Sequence, residues 1–419
     1  MITMKERTNV LESDWGTLAP TGLPKNVEYC KKCVISNQKP ISSIEASHSK
    51  NDFKKTTNFK DGVCDACRWA EEKEHNIDWL ARETEFKDLC DLHRKNNGEY
   101  DVIVPASGGK DSRYVAHLLK EKYKMNPLTV TWKPHKFTPI GLENLMGLID
   151  NGQANLMFSP PGDVQRLLTT IAFQNIGHPF QPFIVGQRVV GTKAALANNV
   201  KLVFYGENVA EYGNRIEDNY SPLMNPSLYT CFDFNESTLD SYMFSGITLR
   251  ELVDKYGLTL NDLEQYKSPS RSEIEKAGIE VHYMSYYRKW VPQENYYYAV
   301  KHTGFKPNDK RKDGSYSKYA GIDDVMEDLH YYMQLIKFGM GRCTWDAAQE
   351  IRTERLERDE AVALVSRYDQ EPPLEYFQEI LNYLDISENK FWLIVDSFRP
   401  RHLWDKKNDG SFILKYPIK

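Results

Sequence analysis

Short apolar runs alternate with helix-like segments through the middle of the chain. Five runs have the length and β-branched content of buried strands, and they cover residues 102–104, 127–132, 155–158, 201–205 and 278–287. The segments between them place apolar residues at helical spacing, over residues 113–122, 140–149, 164–175 and 184–198. Strands that alternate with helices indicate a parallel sheet covered on both faces, so the pattern predicts an α/β fold.

The flanking parts of the chain have a different pattern. Residues 69–95 are predicted to form a helix that leads into the first core strand, and the chain from residue 292 onward is mainly helical, with candidates at 321–338, 344–368 and 373–384. Residues 212–276 interrupt the alternation with a loop and short helices, which suggests a lid. We therefore predict a module at 1–85, an α/β core at 86–290 with an insertion at 212–276, and a helical region at 291–419.

Composition narrows the class of protein. The 41% apolar and 27% charged residues are ordinary for a soluble globular protein, and no apolar run approaches the ~20 residues needed to cross a bilayer. Residues 1–16 are polar and carry no signal-peptide core, so we expect a cytoplasmic protein without membrane insertion. A net charge of −5 and the lack of a basic tract give no reason to expect nucleic-acid binding.

Two C-x-x-C pairs stand near the start of the chain. They contain Cys30, Cys33, Cys64 and Cys67, and the polar stretch between them offers little core of its own. Four thiolates in this arrangement predict a structural Zn²⁺ site, with an iron–sulfur cluster, free thiols or a redox role as alternatives. The total of seven cysteines is odd and argues against a disulfide framework. Cys90, Cys231 and Cys343 are scattered, and we expect them to be buried small hydrophobes.

A glycine turn follows the first predicted core strand. Its sequence is S-G-G-K-D-S, formed by Ser107, Gly108, Gly109, Lys110, Asp111 and Ser112. The glycines permit a sharp turn and a close approach of the backbone to a ligand, and the N–H groups of a helix start attract anions. The spacing is not that of a Walker-type loop. The stretch is therefore predicted to bind phosphate, the alternative being a glycine turn that only joins strand to helix.

The S-G-G-x-D-S pattern resembles the signature of the PP-loop ATP pyrophosphatases. Further stretches at 206–213, 243–252, 286–298 and 337–352, together with the two C-x-x-C pairs, resemble the N-acetyl sugar amidotransferase family over residues 29–369. The resemblance implies a PP-loop core that binds ATP and Mg²⁺, with the residues of the S-G-G-K-D-S loop on the pyrophosphate. It also implies that Thr131 and Trp132, at the end of the second strand, lie beside the adenine.

The same resemblance implies a reaction. Members of the family convert an acetamido sugar to an acetamidino sugar in bacterial surface glycans or in nonulosonic acids such as pseudaminic and legionaminic acid. Transfer of AMP to the amide oxygen creates a good leaving group, ammonia attacks the carbon, and AMP departs. The chain has no recognisable glutaminase domain, so ammonia comes either from free ammonium or from a separate glutaminase subunit, which the resemblance favours.

Five residues are assigned individual roles at the site. Asp111 is predicted to help coordinate Mg²⁺, or else only to stabilise a helix start. Glu207 directly follows the fourth strand and is assigned to Mg²⁺, ammonia or the sugar amide, with an ordinary strand-end acid as the alternative. Arg288 and Lys289 are assigned to a sugar diphosphate or carboxylate, or else to a solvated turn. Arg342, beside Gly339 and Gly341, is assigned to a phosphate, or else to a turn between helices.

Two other functions compete with this interpretation. A tRNA thiolase of the PP-loop superfamily would also combine the loop with paired cysteines, but it requires cysteines at the active edge and a basic RNA surface. A non-catalytic scaffold with a vestigial nucleotide loop is less consistent with the intact S-G-G-K-D-S sequence.

Overall fold

The computed structural model describes residues 15–42, 44–49, 54–214 and 216–419. The polar start of the chain, on which the signal-peptide prediction rests, falls almost entirely outside these residues. Within them, none of the helices combines the length and the apolar character that a bilayer crossing requires.

The described residues form eleven strands and a larger number of helices. The strands are β1 (Phe59–Lys60), β2 (Val63–Cys64), β3 (Val102–Pro105), β4 (Pro127–Trp132), β5 (Ala154–Phe158), β6 (Leu202–Tyr205), β7 (Met243–Phe244), β8 (Ile247–Thr248), β9 (Glu280–Tyr283), β10 (Trp404–Lys406) and β11 (Phe412–Leu414). The α-helices are α1 (Asp65–His75), α2 (Trp79–His93), α3 (Lys110–His117), α4 (Pro139–Asp150), α5 (Gly162–Ile176), α6 (Gln181–Ala197), α7 (Leu249–Tyr256), α8 (Leu260–Leu263), α9 (Arg271–Ala277), α10 (Met284–Tyr287), α11 (Pro292–Thr303), α12 (Glu327–Phe338), α13 (Arg342–Arg352), α14 (Arg358–Tyr368), α15 (Phe377–Leu384) and α16 (Glu388–Ser397). One π-helical turn, Leu118–Lys122, extends α3, and 3₁₀ turns occur at Glu45–Ser47, Val209–Tyr212, Ile216–Asn219, Pro226–Leu228, Glu236–Ser241 and Glu264–Tyr266.

The five strands predicted for the core form one parallel sheet in the order β5-β4-β3-β6-β9. Val102 pairs in register with Pro127 on one side and with Leu202 on the other, so β3 is central. The predicted α/β fold is therefore confirmed. The chain runs outward from β3 to β5 and then returns to β6, which makes the gap between β3 and β6 the topological switch point. Ligands of open parallel sheets bind beyond the carboxyl ends of the strands at such a point.

Several predicted boundaries were wrong. The single helix expected over 69–95 is two helices, α1 and α2, because the chain breaks at Asn76 and the side chain of Asp78 accepts hydrogen bonds from Leu80 N and Ala81 N to start α2. The helix expected over 344–368 is likewise α13 and α14. The last core strand is only four residues long, because the chain turns into α10 directly after Tyr283.

Part of the insertion at 212–276 packs into the core. Phe232, Phe244 and Tyr266 have no exposed surface, and the Tyr266 ring lies 5.0 Å from the Trp132 ring, measured between centroids. This packing explains why the segment has a conspicuous share of aromatic residues. The lid-like role expected for the segment stays a prediction.

The N-terminal cysteines pack against the C-terminal helices. Cys30 and Cys67 belong to one apolar cluster with Cys343 and Ala347 of α13 and Ala361 of α14. Residues far apart in the sequence therefore share one small core beside the sheet.

Candidate functional site

A single cavity of about 680 Å³ opens at the switch point of the sheet. Most of its wall comes from four parts of the chain. They are residues 39–42, 45, 48 and 54 between the two C-x-x-C pairs, strands β3, β4 and β6 with the loops after β3 and β6, residues 177–190 before and within α6, and residues 317–353. The three regions predicted from the sequence thus meet at one site.

The S-G-G-K-D-S loop lies at this cavity, and its turn depends on glycine. Gly108 has φ +91°, and a Cβ atom there would stand 2.8 Å from the Leu145 backbone, so only glycine fits between β3 and α4. The helix α3 then begins at Lys110. Ser107, Gly109, Lys110, Asp111 and Ser112 line the cavity, whereas Gly108 provides the turn.

The buried Arg113 holds the loop in place. Its Nε donates to the carbonyl oxygen of Gly108 at 2.9 Å, and its two terminal nitrogens donate to the carbonyl oxygens of Thr303 and Asn144. Burial lowers the pKa of Arg113 to about 10. One side chain therefore connects the loop to α4 and to the end of α11.

Asp111 is fixed by two neighbours. Its carboxylate pairs with the ammonium of Lys110 and accepts a hydrogen bond from Asn295 Nδ2 at 3.1 Å. Nearby, the Ser112 hydroxyl donates to Gly109 O at 3.1 Å. Hydrogen bonds therefore hold the loop in position, and its residues line the cavity wall.

Further carboxylates surround the loop. Glu207 follows β6 and accepts a hydrogen bond from the Tyr212 hydroxyl at 2.7 Å, and burial together with the nearby Asp111 raises the pKa of Glu207. Burial also raises the pKa of Asp323, while a hydrogen bond from Ser107 opposes that rise. Burial and the charge of Asp323 raise the pKa of Glu327 to about 7. A bound cation would reduce the electrostatic repulsion between carboxylates that are crowded in this way.

Basic side chains line the same cavity, among them Arg342 and Lys39. Arg342, at the start of α13, pairs with Asp346 at 3.0 Å and lies over the Tyr331 ring. Burial would lower the pKa of Arg342, but the charges of Asp346, Tyr331 and Glu327 raise it above its ordinary value. Lys39 is 3% exposed, and burial lowers the pKa of its amine to about 7.

The two residues predicted to lie beside adenine have different positions. Trp132 lines the cavity with its ring against Gly186 of α6, and its Nε1 is buried with no hydrogen-bond partner among the described residues. Thr131 is fully buried and its side chain points elsewhere, because its hydroxyl donates to Ala106 O at 2.6 Å and accepts from Asn155 at 2.9 Å. The structure brings Trp132 to the site but not Thr131.

Arg288 and Lys289 do not reach the cavity. Arg288 donates to the Glu83 carboxylate of α2 at 2.6 Å, and Lys289 pairs with Glu74 of α1. These ion pairs tie the end of α10 to α1 and α2. The predicted substrate contacts of both residues correspond instead to packing between helices.

The four paired cysteines form a compact group. Their Sγ atoms all lie within 4.8 Å of one another, with separations of 3.9 Å for Cys30–Cys67 and 3.7 Å for Cys33–Cys64. Zn–S bonds of about 2.3 Å place tetrahedral sulfur atoms about 3.8 Å apart, so the group fits a single zinc ion. A multi-iron cluster stands between its cysteines and needs wider spacing.

A cation lies beside this group. Arg352 NH1 is buried without a hydrogen-bond partner in the described part of the chain. Burial opposes its charge, but the neighbouring Cys33, Cys67 and Cys64 raise the pKa of Arg352. An ion held by four thiolates carries net negative charge, and this guanidinium is placed to balance it.

None of the seven cysteines, all of which the structure describes, lines the cavity. Cys90 and Cys343 are buried as predicted, whereas Cys231 is only partly buried. The active-edge cysteine that a thiolase requires is therefore not found at this site.

Sequence reasoning missed several residues of the wall. They are Lys39, Glu45, His48, His178, Asp323, Glu327 and His330. Lys39, Glu45 and His48 fall in a polar stretch with no periodicity, so only the fold brings them to the sheet. One local signal could have indicated acids at the site, namely the adjacent Asp323 and Asp324 before a helix.

Comparison with known proteins gives two partial matches. Residues 313–417 match the family described as LPS biosynthesis protein WbpG-like, C-terminal domain. An uncharacterised protein of Methanocaldococcus jannaschii is 39% identical over 64 residues, which cover 15% of this chain and 23% of that protein. The match thus spans about a quarter of the relative's length. The fold and site define an α/β protein with a five-stranded parallel sheet, a ligand-sized cavity and a four-cysteine group, and its C-terminal part is similar to a lipopolysaccharide-biosynthesis domain.

Proposed function

We propose that the protein is an ATP-dependent amidotransferase that converts an acetamido sugar to an acetamidino sugar, with release of AMP and pyrophosphate. The observation that carries this proposal is the convergence of the S-G-G-K-D-S loop, Arg342 and the carboxylates of Asp111 and Glu207 on one cavity at the switch point of the sheet. That convergence supports nucleotide chemistry at this place in the fold.

The loop would hold the pyrophosphate portion of ATP. The N–H groups at the start of α3 would attract the anion, and Ser107 and Ser112 add hydroxyls beside them. Arg342 and Lys39 face the same cavity and supply positive charge for phosphate oxygens. The apolar wall at Trp132 suits the adenine ring, whose nitrogen atoms can accept a hydrogen bond from the unpartnered Nε1.

Asp111 and Glu207 are the residues that would hold Mg²⁺. Their oxygen atoms are the ligand type that Mg²⁺ prefers, and burial together with the nearby Asp111 carboxylate raises the pKa of Glu207. The carboxylates beside the loop do not form a preassembled group of three ligands in the described residues. This agrees with an ion held by one or two carboxylates together with the phosphates of the nucleotide. When bound, Mg²⁺ would neutralise the departing pyrophosphate.

The reaction requires two substitutions. The amide oxygen of the sugar attacks the α-phosphorus of ATP, the bond to the bridging oxygen breaks, and pyrophosphate leaves. Ammonia then attacks the activated carbon, the C–O bond breaks, AMP departs, and loss of a proton leaves the amidine. The walls of the cavity would orient the amide oxygen and exclude water from the adenylated intermediate.

The biological setting follows from the C-terminal match. Similarity of residues 313–417 to a lipopolysaccharide-biosynthesis domain supports a role in bacterial surface glycan biosynthesis. The acetamido sugar, either nucleotide-linked or a nonulosonate, is accordingly proposed as the substrate. We propose a separate glutaminase subunit as the source of ammonia.

The test is release of AMP and pyrophosphate from ATP in the presence of Mg²⁺ and ammonium. The protein is incubated with a panel of nucleotide-linked acetamido sugars and acetamido nonulosonates, and the products are analysed by mass spectrometry. A product whose mass is lower by the difference between O and NH supports the proposal. ATP cleavage without a modified sugar across the panel, or with transfer of sulfur to tRNA, overturns the amidotransferase assignment.

A further inference from the structure

A second group of metal-binding side chains lies on the wall of the same cavity. It consists of Glu45, His48 and His178, whose candidate ligand atoms lie within 4.8 Å of one another. Glu45 and His48 come from the 3₁₀ turn between the cysteine pairs and its end, and His178 precedes α6. The fold therefore brings together two histidines and a carboxylate from two distant segments.

The spacing of the three ligand atoms suits an ion at their centre. Glu45 Oε2 is 3.4 Å from His48 Nδ1 and 3.6 Å from His178 Nε2. Strong charge-assisted hydrogen bonds between such groups are shorter, at about 2.7–2.9 Å. Metal–nitrogen and metal–oxygen bonds of about 2.1 Å place tetrahedral ligand atoms about 3.4 Å apart. The observed separations match coordination better than direct pairing.

The surroundings hold the group in place. His48 and His178 are 7% and 9% exposed, and the His178 ring stacks on the His330 ring with centroids 5.2 Å apart. Gln181 Nε2 donates to the Glu45 carbonyl oxygen at 2.8 Å, which fixes the backbone that carries the carboxylate. Rigid neighbours of this kind are what orient metal ligands in proteins.

We propose that Glu45, His48 and His178 bind a divalent transition-metal ion of the zinc type, distinct from the ion assigned to the four cysteines. Two histidines and one carboxylate are the ligand set of a zinc site that keeps a free coordination position. Because all three residues line the cavity, that position faces the cavity. It accepts a neutral oxygen or nitrogen ligand, and only the identification of that ligand as ammonia or the amide oxygen rests on the proposed function.

Two cations lie close to the group. Lys54 Nζ is 2.7 Å from His48 Nε2, and the buried Lys337 also lines this part of the cavity. When His48 binds an ion through Nδ1, its Nε2 carries the proton, so Lys54 has to turn away. Metal binding therefore competes with the Lys54 contact, and Lys54→Met is expected to tighten the binding of zinc.

The experiment measures metal content and a spectrum rather than turnover. The full-length protein is saturated with zinc, passed through a desalting column and analysed by mass spectrometry for metal per chain. The wild type is expected to retain one ion beyond that of the four cysteines, and a Glu45→Gln, His178→Ala double variant is expected to lose that ion alone. His302→Ala removes an exposed histidine outside the group and is the matched control.

Cobalt substitution separates the two sites. A four-thiolate site gives intense sulfur-to-cobalt charge-transfer bands, whereas a site with nitrogen and oxygen ligands gives only weak visible bands. The double variant is expected to retain the former and lose the latter. Equal metal content in the wild type and the double variant, or unchanged weak bands, overturns the proposal. Neither result depends on whether the protein cleaves ATP, so failure of the metal site is distinguishable from failure of the proposed reaction.

Discussion

Arg113 Nε donates a hydrogen bond of 2.9 Å to the carbonyl oxygen of Gly108, across the turn that carries the candidate phosphate loop. Arg113 has no exposed surface, and its other nitrogens bind carbonyl oxygens of Asn144 and Thr303. The guanidinium therefore joins the loop, α4 and α11, although Arg113 itself does not line the cavity.

Replacement of Arg113 by Met is expected to reduce both stability and activity. The substitution removes the hydrogen bonds of Arg113 to three carbonyl oxygens, of which Thr303 O keeps a bond from Asn151 Nδ2, and it costs roughly 2–4 kcal/mol of the free energy of unfolding. Urea denaturation measures this loss, and pyrophosphate release measures the effect on the loop. Arg355→Met is the control, because Arg355 forms an exposed ion pair with Glu294 and should change stability little.

Asp111→Asn and Ser107→Ala are expected to lower pyrophosphate release by about 100-fold or more, because in the proposed mechanism Asp111 holds Mg²⁺ and Ser107 binds the pyrophosphate. Both residues lie at the cavity wall, so the fold should be retained, as circular dichroism and melting curves will show. Asp150→Asn, at the exposed end of α4, is the control and should remain fully active. Full activity of both loop variants would remove the loop from the mechanism.

Cys64→Ser is expected to lose zinc and to yield a less stable, poorly soluble protein. Zinc binding contributes on the order of 10 kcal/mol in small zinc-dependent domains, and the group also packs against α13 and α14. Metal analysis and thermal melting test this expectation. Cys231→Ser, a partly buried cysteine outside the group, should leave both unchanged. Unaltered zinc content in Cys64→Ser would contradict the structural role.

Gly186 is expected to tolerate no side chain. A Cβ atom there would stand 1.9 Å from Trp132 Cε2, so Gly186→Ala must displace the indole that lines the cavity. Overpacking of this kind costs about 1–3 kcal/mol. The matched control is Gly162→Ala, since nothing lies within 4 Å of a Cβ at Gly162. Comparison of nucleotide binding in the two variants tests whether the Trp132 surface holds the adenine, and equal affinity would argue against it.

The sheet could be predicted because each strand is encoded by a short, contiguous sequence pattern. Runs such as Val102, Ile103 and Val104 are apolar on both faces and can only be buried strands, and the glycine turn after them is encoded within six residues. The helix breaks near Asn76 and at residues 353–357 were missed. The break near Asn76 depends on a side-chain cap at Asp78, and the apolar spacing continues across this break, so the sequence pattern does not reveal it.

The candidate site was only half predictable, and the reason is topological. The loop residues and Glu207 follow predicted strands, so the parallel sheet alone places them at one edge. Lys39 and Glu45 reach that edge because the cysteine group packs on the C-terminal helices, which is a long-range contact without local pattern. Arg288 and Lys289 follow a strand as well, but the acids on α1 and α2 that bind them could not be placed from the sequence.

Asp369 fixes the start of α13 and with it Arg342. Its carboxylate accepts hydrogen bonds from Gly341 N and Thr344 N, each at 2.8 Å, yet burial still raises its pKa to about 6. Because the native state then holds this proton more tightly than the unfolded state, Asp369 stabilises the fold at low pH. That contribution is lost as the pH rises from about 4 to about 6. The free energy of unfolding of the wild type, minus that of Asp369→Asn, should therefore fall across this window and stay constant above it. Urea denaturation at a series of pH values measures the difference. A difference that rises with pH would mean that the carboxylate is stabilised in its ionised form by the N–H groups of α13, with burial the weaker effect.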